Sequence, residues 1–309
     1  MTAVTSTFQL VPRRRLLGLA FGAIQGARRG LGSDVAGSRP YRPGDDPGAI
    51  DWAASARLSA VRGVDEFIVR EHYADDAPRV VIVVDRRPEM ALSSPEIPWL
   101  RKHEAVGAAA NLIAESVAEA RGLVGYLDFA EGPDEPFWRP PSSSREPWSI
   151  REGHLLHPNY GAPDTNLTLA LEFLEGHRRS VPSGSFLFVL SDFLVSPVRD
   201  VWERVVDHGW DIVPVVIQDP VWEQSFPPAD GIMVPLTDAD GRLRLVRLRG
   251  GESEQRRLEH EERRDALLAG FIELGAEPIL LSASDQEHVL AAFLEWAANR
   301  EFEHGRGWR

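Results

Sequence analysis

Residues 79–85, "RVVIVVD", constrain the fold more than any other stretch of the chain. Five β-branched aliphatic residues in unbroken succession have no polar face, so as a strand they must be covered on both sides. That is the situation of a central strand in a parallel sheet flanked by helices. The run stops at Asp85, with Arg86, Arg87 and Glu89 directly behind it. A carboxylate therefore stands where the strand leaves the sheet.

The rest of the chain continues this reading. In 100–120, Val106, Ala109, Ala110, Ile113 and Val117 recur at three- and four-residue spacings and line one helical face. Further strands are expected at "GLVGYLDF", "SFLFVLSDFL", "WDIVPVVIQD" and "EPILLSA", alternating with helices that open near Asn166 and Val198 and that span 254–274 and 285–300. Strands alternating with helices are the arithmetic of βαβ units, so the fold class is α/β with a mainly parallel sheet. The Pro- and Trp-rich passage 131–164 reads as irregular, with "PPSSS" as a surface loop.

Two regions break the rhythm and set the domain organisation. Residues 1–78 form an N-terminal segment that is rich in Gly, Pro and Arg and carries one added strand, "DEFIVREHYA". Residues 79–309 form the α/β domain. Within it, "GIMVPLT" and "RLRLVRL" flank "DADG" and predict a β-hairpin excursion at about 220–250.

Composition narrows the function. The chain has no cysteine among its 309 residues, which excludes disulfides, thiolate metal sites and cysteine nucleophiles. A formal charge of −13 repels a phosphate backbone, so nucleic acid is not an expected partner. The segment "PRRRLLGLAFGAIQGARRG" imitates a signal peptide, but its apolar run over 16–24 is far short of the roughly 20 residues a membrane span needs. It is expected to pack on the body of the protein, with no membrane span.

The most distinctive segment is "GSRPYRPGDDPGAIDWAASAR", residues 37–57. It joins a Pro/Gly/Asp turn to a short helical piece of small residues, with Tyr41 and Trp52 as large anchors. Read from residues alone, it is either a docked surface turn or a recognition loop. Followed by "EFIVREHY", a sheet strand ending in Asp, "TNLTLAL", "VLSDFL", "VPVVIQDPVWEQSFP" and "DADGRLRLVRL", it resembles the bacterial DUF58 family over nearly the whole chain. The resemblance implies a doubly wound α/β sheet of the von Willebrand factor A-like kind, association with MoxR-type AAA+ ATPases and, for a chain without a membrane span, a cytoplasmic form. It makes Arg39, Tyr41, Arg42, Gly44, Asp45, Asp46, Asp51, Trp52 and Arg57 the signature and partner-binding candidates.

The same resemblance implies a divalent ion site at the top of the sheet. Asp85, Thr165 and Asp192 match three of its ligands, whereas Arg87 and Glu89 stand where two serines belong. Mg²⁺ or Mn²⁺ wants oxygen ligands, and a guanidinium carries no acceptor. Arg87 is therefore expected to act as an internal counter-ion among Asp85, Asp192 and Glu89, leaving a degenerate site without a cofactor. In the alternative, Glu89 supplies a replacement ligand and Arg87 points away.

His154 and His157 have a metal-like spacing but no nearby carboxylate pair, and His72, His103 and His177 are scattered singly. No G-x-S-x-G, Walker or G-x-G-x-x-G motif follows a strand. The mixed charges of "ESEQRRLEHEERRDALL" read as a solvated helix face. The function expected is a non-enzymatic protein-binding module, an adaptor or partner of a MoxR-type ATPase in complex assembly or maturation. The alternative is a metal-dependent hydrolase using Asp85, Glu89 and Asp192.

Overall fold

The computed structural model describes residues 7–13, 20–41, 50–62, 67–91, 99–143, 155, 159–228, 231, 233–237, 243–247 and 251–306. In chain order its elements are β1 (Ala20–Pro40), α1 (Trp52–Arg62), β2 (Ile68–Asp76), β3 (Arg79–Val84), α2 (Lys102–Glu119), β4 (Leu123–Asp128), β5 (Phe137–Ser142) and α3 (Asn166–Gly176). They continue with β6 (Phe186–Ser191), α4 (Arg199–Asp207), β7 (Asp211–Ile217), β8 (Met233–Thr237), β9 (Leu243–Arg247), α5 (Glu252–Glu273), β10 (Ile279–Leu281) and α6 (Gln286–Arg306).

Six strands make one mixed, mostly parallel sheet in the order β10-β7-β6-β3-β4-β5. All neighbours are parallel except the edge pair β4 and β5. The chain starts in the middle at β3, winds outward through β4 to β5, then returns to β6 and winds the other way. The reversal between β3 and β6 opens a crevice at their carboxyl ends, which is where doubly wound sheets place their sites.

The aliphatic run of β3 is buried because both faces are covered. Val80, Ile82 and Val84 face one core with α2 and α6, while Val81 and Val83 face the other with α3 and α4. Alternating side chains point to opposite faces of a strand, so a strand clad on both sides needs apolar residues throughout. Each such side chain contributes about 1.5–3 kcal/mol on burial. The expected stripe on α2 is fully buried at Val106, Ala109, Ala110, Ile113 and Val117.

Residues 7–13 belong to the first core. Phe8, Leu10 and Val11 are buried in it, and Phe8 lies 4.8 Å from the Phe293 ring and 5.9 Å from that of Trp296. β8 and β9 pair as a separate antiparallel hairpin in the region read as one.

Two expectations need correction. The passage 131–164, read as irregular, contains β5, an antiparallel edge strand. An edge strand need not donate on its outer side, which accommodates Pro140, while Pro141 faces β4 at the register shift between Val124 and Tyr126, where the ladder is already interrupted. A Cβ at Gly125 would lie 2.8 Å from the Arg139 carbonyl, so only glycine lets β5 lie this close to β4. The second correction concerns 20–40, within the segment read as rich in Gly, Pro and Arg with one added strand, "DEFIVREHYA". Residues 20–40 form β1, which pairs antiparallel with β2 through several register shifts. Glycines and polar residues hid the strand because alternation is the signal for one, and the bulges break the alternation.

Candidate functional site

Where β3 ends, Asp85 donates its backbone N–H to the Leu190 carbonyl of β6 at 2.9 Å, which holds its side chain in the crevice at the switch point. The carboxylate is fully buried and saturated with donors. Oδ1 accepts from Arg87 N–H at 3.0 Å and Asn166 Nδ2 at 3.1 Å. Oδ2 accepts from Ser191 Oγ at 2.6 Å, Arg87 Nε at 3.0 Å and Arg87 Nη2 at 2.8 Å. The same Nη2 reaches Asp192 Oδ1 at 2.5 Å, so one guanidinium joins the two aspartates across the crevice.

Asp192 has a second cation. Lys102, at the start of α2, donates to Asp192 Oδ2 at 2.8 Å and to Glu223 Oε1. Glu223 Oε2 in turn accepts the backbone N–H of Asp219 at 2.8 Å. Beside this group, Arg86 bonds Asp128 at 3.2 Å and Tyr126 Oη at 3.2 Å, and stacks over Tyr160 at 4.9 Å. The carboxyl ends of adjacent parallel strands thus carry buried carboxylates, each joined to a cation of the chain itself.

The electrostatics follow from this arrangement. Burial alone raises the Asp192 pKa, but Lys102 and Arg87 together outweigh it and hold the carboxyl below its ordinary value of 3.8. Burial also opposes the charge on Lys102, and Asp192 and Glu223 overcome it and keep the ammonium protonated. Three carboxylates share two cations here, and the excess charge falls on Glu223, whose pKa burial raises despite Lys102.

The two shifts have opposite signs in stability. Asp192, with its folded pKa depressed, contributes stability above the unfolded value that is lost as pH falls through the folded one. Glu223, with its folded pKa raised, takes up its proton first and slightly favours the folded state on mild acidification. Lys102→Met is expected to cost about 2–3 kcal/mol at neutral pH. The penalty should shrink as pH falls, because the Asp192 pairing it removes is itself lost when that carboxylate protonates, read by urea denaturation across a pH series.

A divalent ion does not fit this donor set. Arg87 Nη2 occupies the position between Asp85 and Asp192 that a bridging ion would need, and a guanidinium has no lone pair to offer. Among the described residues, no group of three or more His, Asp or Glu side chains is placed to hold a metal.

Of the residues proposed as ligands, Asp85 and Asp192 meet, with Arg87 between them. Glu89 sits in a one-turn 3₁₀ helix, Pro88–Ala91, with its Oε2 buried and unpaired. Thr165 is a correction. It is exposed just before α3, and the next residue, Asn166, supplies the contact to Asp85. Sequence reasoning also missed Lys102, Ser191 and Glu223. One signal for Lys102 was legible, since a cation in the first turn of a helix opposes the helix dipole and calls for an anion nearby. His154 and His157 lie outside the described residues. His177 is stacked on Phe173 at 4.0 Å, a packing role.

In the signature segment, Arg39 lies in β1, and Arg42, Gly44, Asp45 and Asp46 fall outside the described residues. Asp51 caps α1: its Oδ1 accepts the Ala54 N–H at 3.0 Å, and its carbonyl accepts Ser55 Oγ at 2.7 Å. Ser55 Oγ accepts the Ile68 N–H at 2.8 Å, tying the helix to β2. Arg57 is exposed and returns its Nε–H to the Ala53 carbonyl at 3.1 Å. Trp52, expected to be an anchor, is instead 63% exposed. Asp51→Ala is expected to cost about 1 kcal/mol through loss of the cap, measured by urea denaturation.

No functionally curated protein matches the chain. Two solved structures are similar at 14% identity, each over 72% of this chain and 99% of its own. One is an aerotolerance-related membrane protein from Bacteroides fragilis NCTC 9343, at a TM-score of 0.43. The other is a conserved hypothetical protein, BatB, from Bacteroides thetaiotaomicron, at a TM-score of 0.41. No helix among the described residues is long and apolar enough to cross a membrane. The profile described as "Protein of unknown function DUF58" matches residues 37–265, from the signature segment into α5, and the chain belongs to that family.

Proposed function

We propose that the chain is a metal-independent protein-binding module with a von Willebrand A-like sheet, acting in the cytoplasm as adaptor for a MoxR-type AAA+ ATPase. The observation that carries the reading is the guanidinium of Arg87 lodged between Asp85 and Asp192. A sheet-top site that recognises partners through a metal needs an open coordination position. Here that position is filled, so recognition falls to surface side chains. A hydrolase built on Asp85, Glu89 and Asp192 needs the same open position, and Arg87 counts against it equally. The ATPase partner is supported by the family to which the motifs belong.

The test is affinity purification of the EDTA-stripped, desalted chain with a purified MoxR-type ATPase in ATP and in ADP. Binding in at least one nucleotide state, unchanged by prior stripping of this chain, is the expected result. Failure in both states, or binding that returns only when a divalent ion is restored to this chain, would overturn the reading.

A further inference from the structure

Tyr41, Trp52 and Phe67 form an aromatic corner on the N-terminal part of the chain. The Phe67 ring lies 6.5 Å from Tyr41 and 5.9 Å from Trp52, at 78° to each. Trp52 is 63% and Phe67 44% exposed. The backbone beneath them is fixed: Tyr41 N–H donates to the Phe67 carbonyl and Asp51 N–H to the Ile68 carbonyl, both at 2.8 Å. The Asp51 cap and the Ser55 bridge hold α1 against β2. Residues that brace the segment thus alternate with residues that present rings to solvent.

An aromatic face carries negative potential and attracts a cation placed over it, Trp most strongly. Elsewhere the chain fills such faces with its own guanidinium groups, Arg86 over Tyr160 at 4.9 Å, Arg139 over Phe137 at 4.8 Å and Arg300 over Trp296 at 4.4 Å. Among the described residues no Arg or Lys stacks on Tyr41, Trp52 or Phe67. The net charge of −13 draws cationic partners to the chain.

We propose that this corner receives an arginine side chain from a basic, extended segment of a partner protein. The planar guanidinium stacks on a ring as an ammonium does not, so arginine is preferred over lysine. The inference rests on the protein-binding reading and names the chemistry of the partner.

The probe is the peptide (Gly-Arg)₄, titrated by calorimetry at about 150 mM salt to screen diffuse attraction. Peptides with Lys or Glu in place of Arg, and an oligoproline, are run beside it. The native chain is expected to bind the arginine peptide best, and Trp52→Ala to bind it about three- to tenfold more weakly, with Trp52→Phe between them. Trp52 is exposed, so its variants keep the fold, and circular dichroism checks this. Equal binding by native chain and Trp52→Ala would reduce the effect to diffuse charge and overturn the proposal, as would a preference for lysine or oligoproline. If the ATPase is captured but the arginine peptide is not bound through Trp52, only this inference fails. If the peptide binds through Trp52 and the ATPase is not captured, the assignment of the ATPase fails instead.

Discussion

Arg87→Ala is expected to destabilise the chain by about 3–5 kcal/mol, the cost of removing one partner from a buried ion pair. Its side chain is 2% exposed, and those of Asp85 and Asp192 are fully buried. Without the guanidinium, two carboxylates face each other across the crevice with Lys102 reaching only Asp192. Asp85 keeps Ser191, Asn166 and the Arg87 backbone as donors but has no countercharge. Arg87→Lys should recover part of the loss, because a single ammonium cannot serve both aspartates with the geometry of the planar fork. Asp85→Asn combined with Arg87→Ala should cost less than the sum of the two single changes, since they share one interaction. Urea denaturation reads all four variants. The penalty should change little with salt, because a buried pair is poorly screened. A cost under about 1 kcal/mol for Arg87→Ala would mean that the guanidinium does not hold the crevice together.

Arg300→Ala is expected to cost a similar amount, about 3–5 kcal/mol, at the opposite end of the sheet. Arg300 is 1% exposed and stacks over Trp296. It forms a two-pronged pair with Asp211, at 2.9 and 3.0 Å, and bonds Glu277 at 2.7 Å. Its Nη1 also donates to the Val11 carbonyl at 3.0 Å, and Asp211 accepts the Arg13 N–H at 2.8 Å. One side chain therefore ties α6, the start of β7 and residues 7–13 together. Removing it leaves Asp211 without its guanidinium and loosens the segment that places Phe8 in the core. Limited proteolysis should cut within the first residues of the variant well before the native chain, and hydrogen exchange at Phe8 should accelerate. Unchanged exchange at Phe8 would show that the apolar contacts alone hold the segment.

The elements that were legible in the sequence are those whose burial forces a simple pattern. The run 80–84 announced a strand covered on both faces, and the stripe from Val106 to Val117 announced the helix that covers one of them. Asp85 and Asp192 were legible because a carboxylate directly after an apolar strand marks the carboxyl end of a parallel sheet. The partners of those carboxylates were harder to read. Asn166 and Ser191 look like ordinary helix-start and strand-end residues. Lys102 and Glu223 are 121 residues apart, and only the winding of the sheet brings them into contact. Trp52 misled for another reason, since a large aromatic side chain is usually buried and the pattern of α1 does not show which face its first residue takes.

The most direct test of the central claim is calorimetric titration of the EDTA-stripped chain with Mg²⁺, Mn²⁺ and Ca²⁺, using Asp85→Ala as control. With Arg87 and Lys102 holding the aspartates, no saturable binding at the sheet top is expected. Stoichiometric binding that disappears in Asp85→Ala would contradict the account, because it would require Arg87 to leave the position between Asp85 and Asp192.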